Sequence, residues 1–291
     1  MKYTLIENFI LLLWVSLMAS SFVVSEQLSP YVNPITSTAL RFILATILMI
    51  PFIGKAFIEQ LNRNIMFHYS IISLFLVLFF IGLFEALKTT NAMRTSVIYT
   101  LLPLLSVVIT YIGLKLVTPS RQIAGFLIGT LGAIWVLLAF TQNTLTLMGW
   151  RIGDSIFLVA CCCLALHVIL IKKWATDVPP MLGAFYIMLL GSLILLPFLM
   201  LFGDLKDVAW QQSKFWQILL YLTVFTTIAT FFLQQYLLKK VGPNRLLAFT
   251  YLIPSIVVIP QGIVTLSQLY IALPGIMLTL LALYLISSQR Q

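Results

Sequence analysis

The chain has 291 residues, of which 61% are hydrophobic and only 9% are charged. Soluble domains carry about 25% charged residues, so this composition excludes an ordinary soluble protein and predicts one embedded in a bilayer. The net charge of +9 does not indicate a nucleic-acid partner, because Lys and Arg stand singly or in pairs between apolar runs. No P-loop, GxSxG or HExxH motif is present, so we predict no catalytic residue, cofactor or metal site.

Ten apolar runs, each of about 18 to 23 residues, are separated by short polar breaks. Such lengths cross a hydrocarbon layer of about 30 Å as helices, and backbone groups in lipid must bond within each segment. The sequence therefore predicts an all-α integral membrane protein with ten transmembrane helices and no room for a soluble domain. The predicted spans are 5–24, 35–53, 69–87, 95–114, 122–140, 152–171, 181–202, 216–238, 246–264 and 269–287. The first is too long for the apolar part of a signal peptide, so we expect it to be retained.

The distribution of basic residues predicts the orientation. With the N-terminus inside, eleven of the seventeen Lys and Arg residues lie on the cytoplasmic side and five lie outside, while Arg41 falls within a span. This bias favours cytoplasmic positions for both Met1 and Gln291, with the protein as a multi-pass component of the cell (inner) membrane. The three cysteines, Cys161 to Cys163, fall in one apolar run, where we expect reduced packing residues.

The two halves of the chain resemble each other. Pro34 and Pro51 recur 146 residues later as Pro180 and Pro197. At an offset of 151, Lys88, Arg94 and Pro103 recur as Lys239, Arg245 and Pro254. Because each half holds five spans, the second half enters the membrane from the opposite side, as in secondary transporters with inverted repeats. We predict one repeat over 1–145 and an inverted one over 146–291.

Several short motifs resemble the EamA-type members of the drug/metabolite transporter superfamily. They are Trp14 with Ser20-Ser21-Phe22, Pro34 leading to Ala39-Leu40-Arg41-Phe42, Ala86-Leu87-Lys88-Thr89-Thr90, Pro103 and Gly125. The resemblance covers nearly the whole chain. It implies a ten-helix transporter built from two five-helix repeats, often an exporter of amino acids, nucleosides, drugs or other metabolites. Where the family commonly carries Gly-Glu after the fourth helix, this chain has Leu114-Lys115, and the matching Glu near Thr265 is also absent.

Polar residues that share one face of a helix are candidates for a transport path. In the eighth span, Thr223, Thr227, Thr230 and Gln234 fall within an arc of about 60° at 100° per residue. The fourth and ninth spans each carry a polar stripe around a proline, which would loosen the helix as a hinge. In the first span, Trp14 lies on the same face as Ser21, whose equivalent in the second half is His167. Threonines that bond to their own helix and a neutral packing histidine are the alternatives that remain open.

These considerations give three sets of candidate residues. The predicted substrate-contacting residues are Trp14, Tyr99, Ser106, His167, Thr227, Thr230, Gln234, Thr250, Tyr251 and Gln261. The predicted hinges are Pro103 and Pro254, and the predicted coupling or gate residues are Arg41 and Glu85. Charges within spans usually face the interior, so Arg41 and Glu85 could pair, although each could also reach the interface alone. Asp154 at the start of the sixth span suits a helix-capping role.

The sequence favours a secondary transporter that exports a small solute by alternating access around a central cavity. Its expected partners are that solute, the lipid bilayer and, if transport is coupled, protons through Glu85 or His167, with a homodimer compatible with the chain. The alternatives are a transporter-derived sensor or scaffold without solute flux and, more remotely, an intramembrane enzyme. The identity of the solute is beyond the sequence.

Overall fold

A computed structural model describes residues 5–54, 62–90, 92–115, 117–140, 149–175, 177–258 and 266–287. Within these ranges the chain is helical and contains no strand, which confirms the all-α prediction. The helices of the first half are α1 (Leu5–Leu28), α2 (Pro34–Ile53), α3 (Arg63–Leu87), α4 (Ala92–Tyr99), α5 (Leu102–Leu114) and α6 (Ser120–Phe140). Those of the second half are α7 (Ile152–Trp174), α8 (Pro180–Phe202), α9 (Ser213–Thr223), α10 (Thr230–Ala248), α11 (Ile253–Val258) and α12 (Leu266–Ser287).

Eight helical stretches in the described part of the chain are long and apolar enough to cross a membrane, and Val97–Gly113 is a shorter apolar stretch. One of the eight, Ser213–Val257, has 45 residues and contains the predicted eighth span and the first part of the predicted ninth span. It bends at Gly242, whose φ of 78° and ψ of 168° are not helical. Glycine adopts this backbone readily because it has no Cβ, and Pro243 next to it cannot extend the helix before it.

The predicted fourth span is not one helix. It is divided into α4 and α5 at Thr100 and Leu101, and Pro103 lies in the first turn of α5. A proline in a first turn loses no helical hydrogen bond, because the N–H it lacks would have had no partner there. The carbonyl of Thr100 at the break accepts a hydrogen bond from Thr130 Oγ1 of α6 at 3.2 Å. The chain thus breaks where a neighbouring helix satisfies the exposed backbone group.

The two halves pack on each other through several pairs of helices. The most extensive contacts join α6 to α12, α3 to α7 and α2 to α8, each pairing a helix of one half with a helix of the other. Along α6 and α12 the backbones approach closely, since a Cβ on Gly132 would lie 2.8 Å from the carbonyl oxygen of Gly275. Small residues allow such close helix packing in a bilayer, where the hydrophobic effect does not drive helices together.

Large apolar side chains cover the outer surface of the bundle. Phe52, Ile112 and Met200 are among those that are mostly exposed. In water such a surface would aggregate, whereas in lipid it is the expected exterior. The composition of this surface therefore agrees with a multi-pass membrane protein.

Candidate functional site

A cavity of about 360 Å³ lies between helices of both halves. At one end it reaches Ser29 and Leu87, where α1 and α3 end, and we call this end of the bundle the mouth face. At the other end it reaches His167 and Gln234, about two thirds of the way along α7 and near the start of α10. Its lining residues therefore come from α1, α2, α3 and α4 of the first half, and from α7, the turn before α10, and α10 itself.

Arg41 of α2 is the charged residue of the cavity lining, and it is held by the second half of the chain. Its Nε and Nη2 donate to Thr227 Oγ1 at 3.2 and 3.0 Å, and Nη2 also donates to Thr226 Oγ1 at 3.2 Å. The residue is buried, with 8% of its surface exposed. Two neutral hydroxyls thus fix one edge of the guanidinium without neutralising it.

A π-helical turn over Val224–Ala229 brings both threonines to Arg41. Thr226 and Thr227 both donate to the carbonyl oxygen of Leu222, at 2.8 and 3.0 Å, four and five residues earlier. Such hydroxyls compete with backbone N–H groups for helical carbonyls, and π turns occur frequently at functional sites. The α-helical spacing used for the sequence prediction does not hold across this turn. Consequently Thr226, which was not among the predicted residues, lines the cavity.

His167 and Gln234 form the deep end of the cavity. His167 Nδ1 lies 2.9 Å from the carbonyl oxygen of Ile72, and its Nε2 lies 3.3 Å from Gln234 Nε2. A carbonyl only accepts, so Nδ1 carries the proton and Nε2 accepts from the amide of Gln234. A neutral imidazole satisfies both contacts, which is the arrangement expected of a packing histidine at the cavity wall.

The remaining wall is largely aromatic and aliphatic. Phe79, Phe80 and Phe84 line it from α3, and Phe231 faces them from α10. Edge-to-face contacts link Phe42 to Phe80 and to Phe231, with ring centroids 5.8 and 6.5 Å apart. A cavity of this size with mostly apolar walls and a few directed polar groups is typical of a small-molecule site.

Between the cavity and the opposite face of the bundle, several polar groups are buried in tight packing. Trp14 Nε1, Tyr69 OH, Thr110 Oγ1 and Gln235 Nε2 have no hydrogen-bond partner among the described residues. A Cβ on Gly183 would lie 2.6 Å from Tyr69 OH and 3.2 Å from the side chain of Gln235, so these groups lie close together. Buried polar groups without partners cost roughly 1 to 3 kcal/mol each, which makes this concentration unusual for a permanently dry region.

At the mouth face a buried ion pair joins the two halves. Arg94 of α4 forms a bidentate contact with Asp154 of α7, and both side chains are at most 6% exposed. Thr90 Oγ1 donates to the same carboxylate at 2.8 Å, and the backbone N–H of Arg151 donates to it at 2.8 Å. The second of these bonds is the capping role predicted for Asp154, whereas its pairing with Arg94 was not predicted.

The equivalent position of the second half carries a different contact at the opposite face. Arg245, which corresponds to Arg94, donates from Nη2 to Asn8 Oδ1. Asn8 is itself the equivalent of Asp154, at the offset of 146 residues. Each arginine therefore reaches the first turn of the opposite half, once to a carboxylate and once to an amide.

The cavity collects some of the predicted substrate-contacting residues but not others. Those that line it are Tyr99, His167, Thr230 and Gln234, and Thr227 lies behind Thr226 as a partner of Arg41. Trp14 is buried in the core outside the cavity lining. Ser106 and Thr250 are also outside it and donate to carbonyls of their own helical turns, Pro103 and Leu247. Gln261 lies outside the described residues.

Tyr251 and the two prolines belong to the packing between α6 and the broken spans. Tyr251 OH donates to the carbonyl oxygen of Phe126 at 2.9 Å and lies 3.0 Å from Thr130 Oγ1. Pro254 lies in the first turn of α11, after a 3₁₀ turn over Phe249–Leu252. Pro103 and Pro254 thus occupy equivalent positions, each directly after a break in the helix.

Glu85 is outside the cavity lining. Its carboxylate lies 2.6 Å from Lys88 Nζ in an exposed pair one turn apart on α3. The pairing with Arg41 that the sequence left open is absent, because Arg41 turns to the threonines instead. Partial desolvation of Glu85 was the reason to consider it for proton coupling, and this side chain is about half exposed.

Comparison with known proteins agrees with this architecture. The sequence model of the EamA-like transporter family matches the chain twice, over residues 5–138 and 151–288. The chain belongs to the EamA-like transporter family. The first matched segment contains α1 to α5 and most of α6, and the second contains α7 to α12. The double match shows two EamA-like repeats in the chain, in agreement with the relation between the halves that the offsets of 146 and 151 indicated.

Two similar proteins extend the comparison. The EamA-like chain is 25% identical over 239 residues to an uncharacterized transporter, YyaM, of Bacillus subtilis (strain 168), covering 79% of this chain and 76% of that protein. A solved crystal structure is similar over 96% of this chain and 95% of its own, with a TM-score of 0.75 and 18% identity. The second likeness concerns the fold alone.

Proposed function

We propose that this protein is a secondary exporter of a small organic solute, which binds in the cavity between the two halves and crosses by alternating access. Membership of a transporter family supports transport in general. The observation that carries the proposal is the cavity itself, since it is lined from both halves and reaches one face of the bundle. Amino acids, nucleosides and drugs are the solute classes that the family resemblance brings into consideration.

The buried polar groups beyond the cavity support the second state that alternating access requires. Tyr69, Thr110 and Gln235 lie on the side where the bundle is closed, and their polar atoms have no partner there among the described residues. Water entering from the opposite face would satisfy them, so an opened opposite half is chemically suited to these residues. Pro103 and Pro254, at the breaks of the fourth and ninth spans, are the proposed hinges.

We propose that the chain crosses the cell membrane ten times and that both of its termini lie on the cytoplasmic side. The 45-residue stretch Ser213–Val257 is about 68 Å long at 1.5 Å per residue, twice the thickness of the hydrocarbon layer, and its bend at Gly242 allows it to cross twice. Together α4 and α5 supply the remaining crossing. The repeats are proposed to be 1–145 and 146–291, a boundary that falls outside the described residues. Reporter fusions after Gln291 should give a cytoplasmic signal, and a strong periplasmic signal would contradict this topology.

Flux in proteoliposomes is the direct test of transport. Purified protein should drive uptake or counterflow of at least one member of a panel of radiolabelled carboxylates, amino acids, nucleosides and cationic drugs. Liposomes that contain an Arg41→Gln variant provide the matched control, because this change alters the cavity. Ligand-induced thermal stabilisation without any flux across the panel would instead support the sensor or scaffold alternative.

If flux depends on a proton gradient, His167 is the proposed coupling residue within the cavity. It contacts Gln234 across the junction of α7 and α10, and a proton on Nε2 would turn that nitrogen from an acceptor into a donor. Gln234 would then have to present its carbonyl oxygen instead. His167→Asn should abolish the pH dependence of flux while retaining some transport, whereas an unchanged pH profile would exclude His167 from coupling.

A further inference from the structure

The cavity wall contains a buried cation, Arg41, whose contacts with the described residues do not match its charge. Arg41 is held at its Nε and Nη2 edge by Thr226 and Thr227, and Nη1 makes no hydrogen bond to a described residue. No carboxylate is found among the described side chains that line the cavity. Among the described acidic residues of the mouth face, Asp154 binds Arg94 and Glu85 binds Lys88, while Asp204 and Asp207 are exposed and outside the cavity lining.

Burying a cation without a counter-charge is costly, so such groups are generally paired or face a polar space. Among the described residues, Arg41 has two neutral hydroxyls as its hydrogen-bond partners, and it also lines the cavity. The threonine hydroxyls cannot supply the missing charge because they are neutral, and each donates its own proton to the carbonyl of Leu222 while it accepts from Arg41. They hold the guanidinium in one orientation, which leaves the Nη1 edge available to a ligand in the cavity.

We propose that the transported solute is an organic carboxylate with an apolar or aromatic body, whose carboxylate binds the Nη1 edge of Arg41 while its body packs against the phenylalanines of α3 and α10. This inference rests on the proposed transport function and specifies the class of its substrate. Guanidinium and carboxylate form strong charge-assisted hydrogen bonds, especially where water is excluded. The aromatic wall formed by Phe79, Phe80, Phe84 and Phe231 suits a flat apolar body.

The same lining disfavours amines and zwitterions. An ammonium group would meet hydroxyls such as those of Ser21, Ser25 and Ser37, but no described carboxylate, and it would share the cavity with the charge of Arg41. Like charges within a low-dielectric site repel strongly. We therefore expect a simple carboxylate to bind more tightly than the amide or amine of the same carbon skeleton.

Three probes with the same carbon skeleton test this: 3-phenylpropionate, 3-phenylpropionamide and 3-phenylpropylamine. Binding to the purified full-length protein in nanodiscs is measured by calorimetry. The carboxylate should bind roughly tenfold to a hundredfold more tightly than the amide, as expected for one charge-assisted contact. Equal responses to the carboxylate and the amide, including no response to either, would overturn the proposal, as would preferred binding of the amine.

Variants locate the preference at Arg41. Arg41→Gln should remove the difference between carboxylate and amide, while Arg41→Lys should retain part of it. Arg121→Gln is the matched control, because Arg121 is an exposed cation at the opposite face and its loss changes the net charge equally. If Arg41→Gln is poorly folded, Thr226→Val leaves Arg41 in place with one acceptor fewer, and it should weaken carboxylate binding more than amide binding. A carboxylate preference that survives in both variants would contradict the assignment to Arg41.

Flux separates this inference from the proposed function. A carboxylate that binds through Arg41 but never crosses proteoliposomes would contradict transport and leave the anion site in place. Conversely, flux of the amine or the amide without flux of the carboxylate would contradict the anion site and leave transport in place.

Discussion

Arg94 and Arg245 occupy equivalent positions in the two halves but are held by different partners. At the mouth face, Arg94 meets the carboxylate of Asp154, with additional bonds from Thr90 and the backbone of Arg151. At the opposite face, Arg245 meets the amide of Asn8. We call these the mouth-face and opposite-face arginine contacts. The same geometry, an arginine reaching the first turn of the other half, thus occurs at both faces, with a carboxylate partner at one face and an amide partner at the other.

The difference shows that equivalent contacts in two inverted repeats need not stabilise the two faces of the bundle equally. A buried bidentate ion pair loses much of its support when one partner is removed, because the remaining charge is left without a counter-ion. An amide partner carries no charge, so its loss removes a hydrogen bond only. Substitutions at the two contacts should therefore have unequal effects, even though the residues are equivalent by the repeat.

The largest effect is expected for Asp154→Ala. It leaves Arg94 buried and uncompensated, with a cost of about 3 to 5 kcal/mol of stability. Thermal unfolding in detergent, followed by scanning fluorimetry, should show a large decrease in Tm. Asp204→Ala, at an exposed acidic residue of the same face, is the control for the loss of one negative charge. Equal Tm values for Asp154→Ala and this control would show that the ion pair does not stabilise the fold.

A smaller effect is expected for Asp154→Asn, which makes the mouth-face contact resemble the opposite-face contact. The Asn side chain keeps one acceptor for Arg94 and Thr90 but replaces the second carboxylate oxygen with a donor, which faces the N–H of Arg151. We expect a loss of roughly 2 to 3 kcal/mol, in line with hydrogen bonds to a charged group. A Tm at or above that of the unaltered protein would mean that charge is unimportant at this position.

Asn8→Ala should destabilise the protein less, by about 1 to 2 kcal/mol, because it removes one partly buried hydrogen bond to Arg245.

The reciprocal change, Asn8→Asp, gives the opposite-face contact the carboxylate of the mouth-face contact. We expect it to raise Tm relative to Asn8→Ala and to slow flux, since a tighter contact at that face opposes its rearrangement. A Tm decrease larger for Asn8→Ala than for Asp154→Ala would reverse the comparison.

The smallest effect is expected for Glu85→Gln. The pair of Glu85 with Lys88 is exposed and lies one turn apart on α3, and such surface pairs contribute about 0 to 1 kcal/mol. The Tm should therefore change little, and the difference in Tm between the variant and the unaltered protein should not grow as the salt concentration is raised. A decrease comparable to that of Asp154→Ala would show that Glu85 has a buried role which its geometry does not indicate.

The sequence predicted the helical class, most of the spans and the relation between the halves, because apolar runs and recurring prolines are local signals. It predicted that Arg41 is important but not its partners, since the π turn at Val224–Ala229 brings Thr226 as well as Thr227 to Arg41 of α2. It also did not reveal that Arg94 pairs with Asp154, because the two are 60 residues apart and only packing brings them together. The repeat itself contained a usable signal, since Asn8 and Asp154 occupy equivalent positions.

Alternating access is tested most directly by thiol accessibility in a protein whose Cys161, Cys162 and Cys163 have been replaced by alanine. A cysteine at Gln235, among the buried polar groups of the closed side, is compared with one at Ala184, an apolar core position next to Gly183 in the same region. We predict that a membrane-impermeant maleimide, applied from the opposite face, labels the Gln235→Cys variant slowly and the Ala184→Cys variant not at all. Ser37→Cys, in the cavity lining, should react from the mouth face. Equal resistance of Gln235→Cys and Ala184→Cys to labelling would contradict alternating access through this cavity.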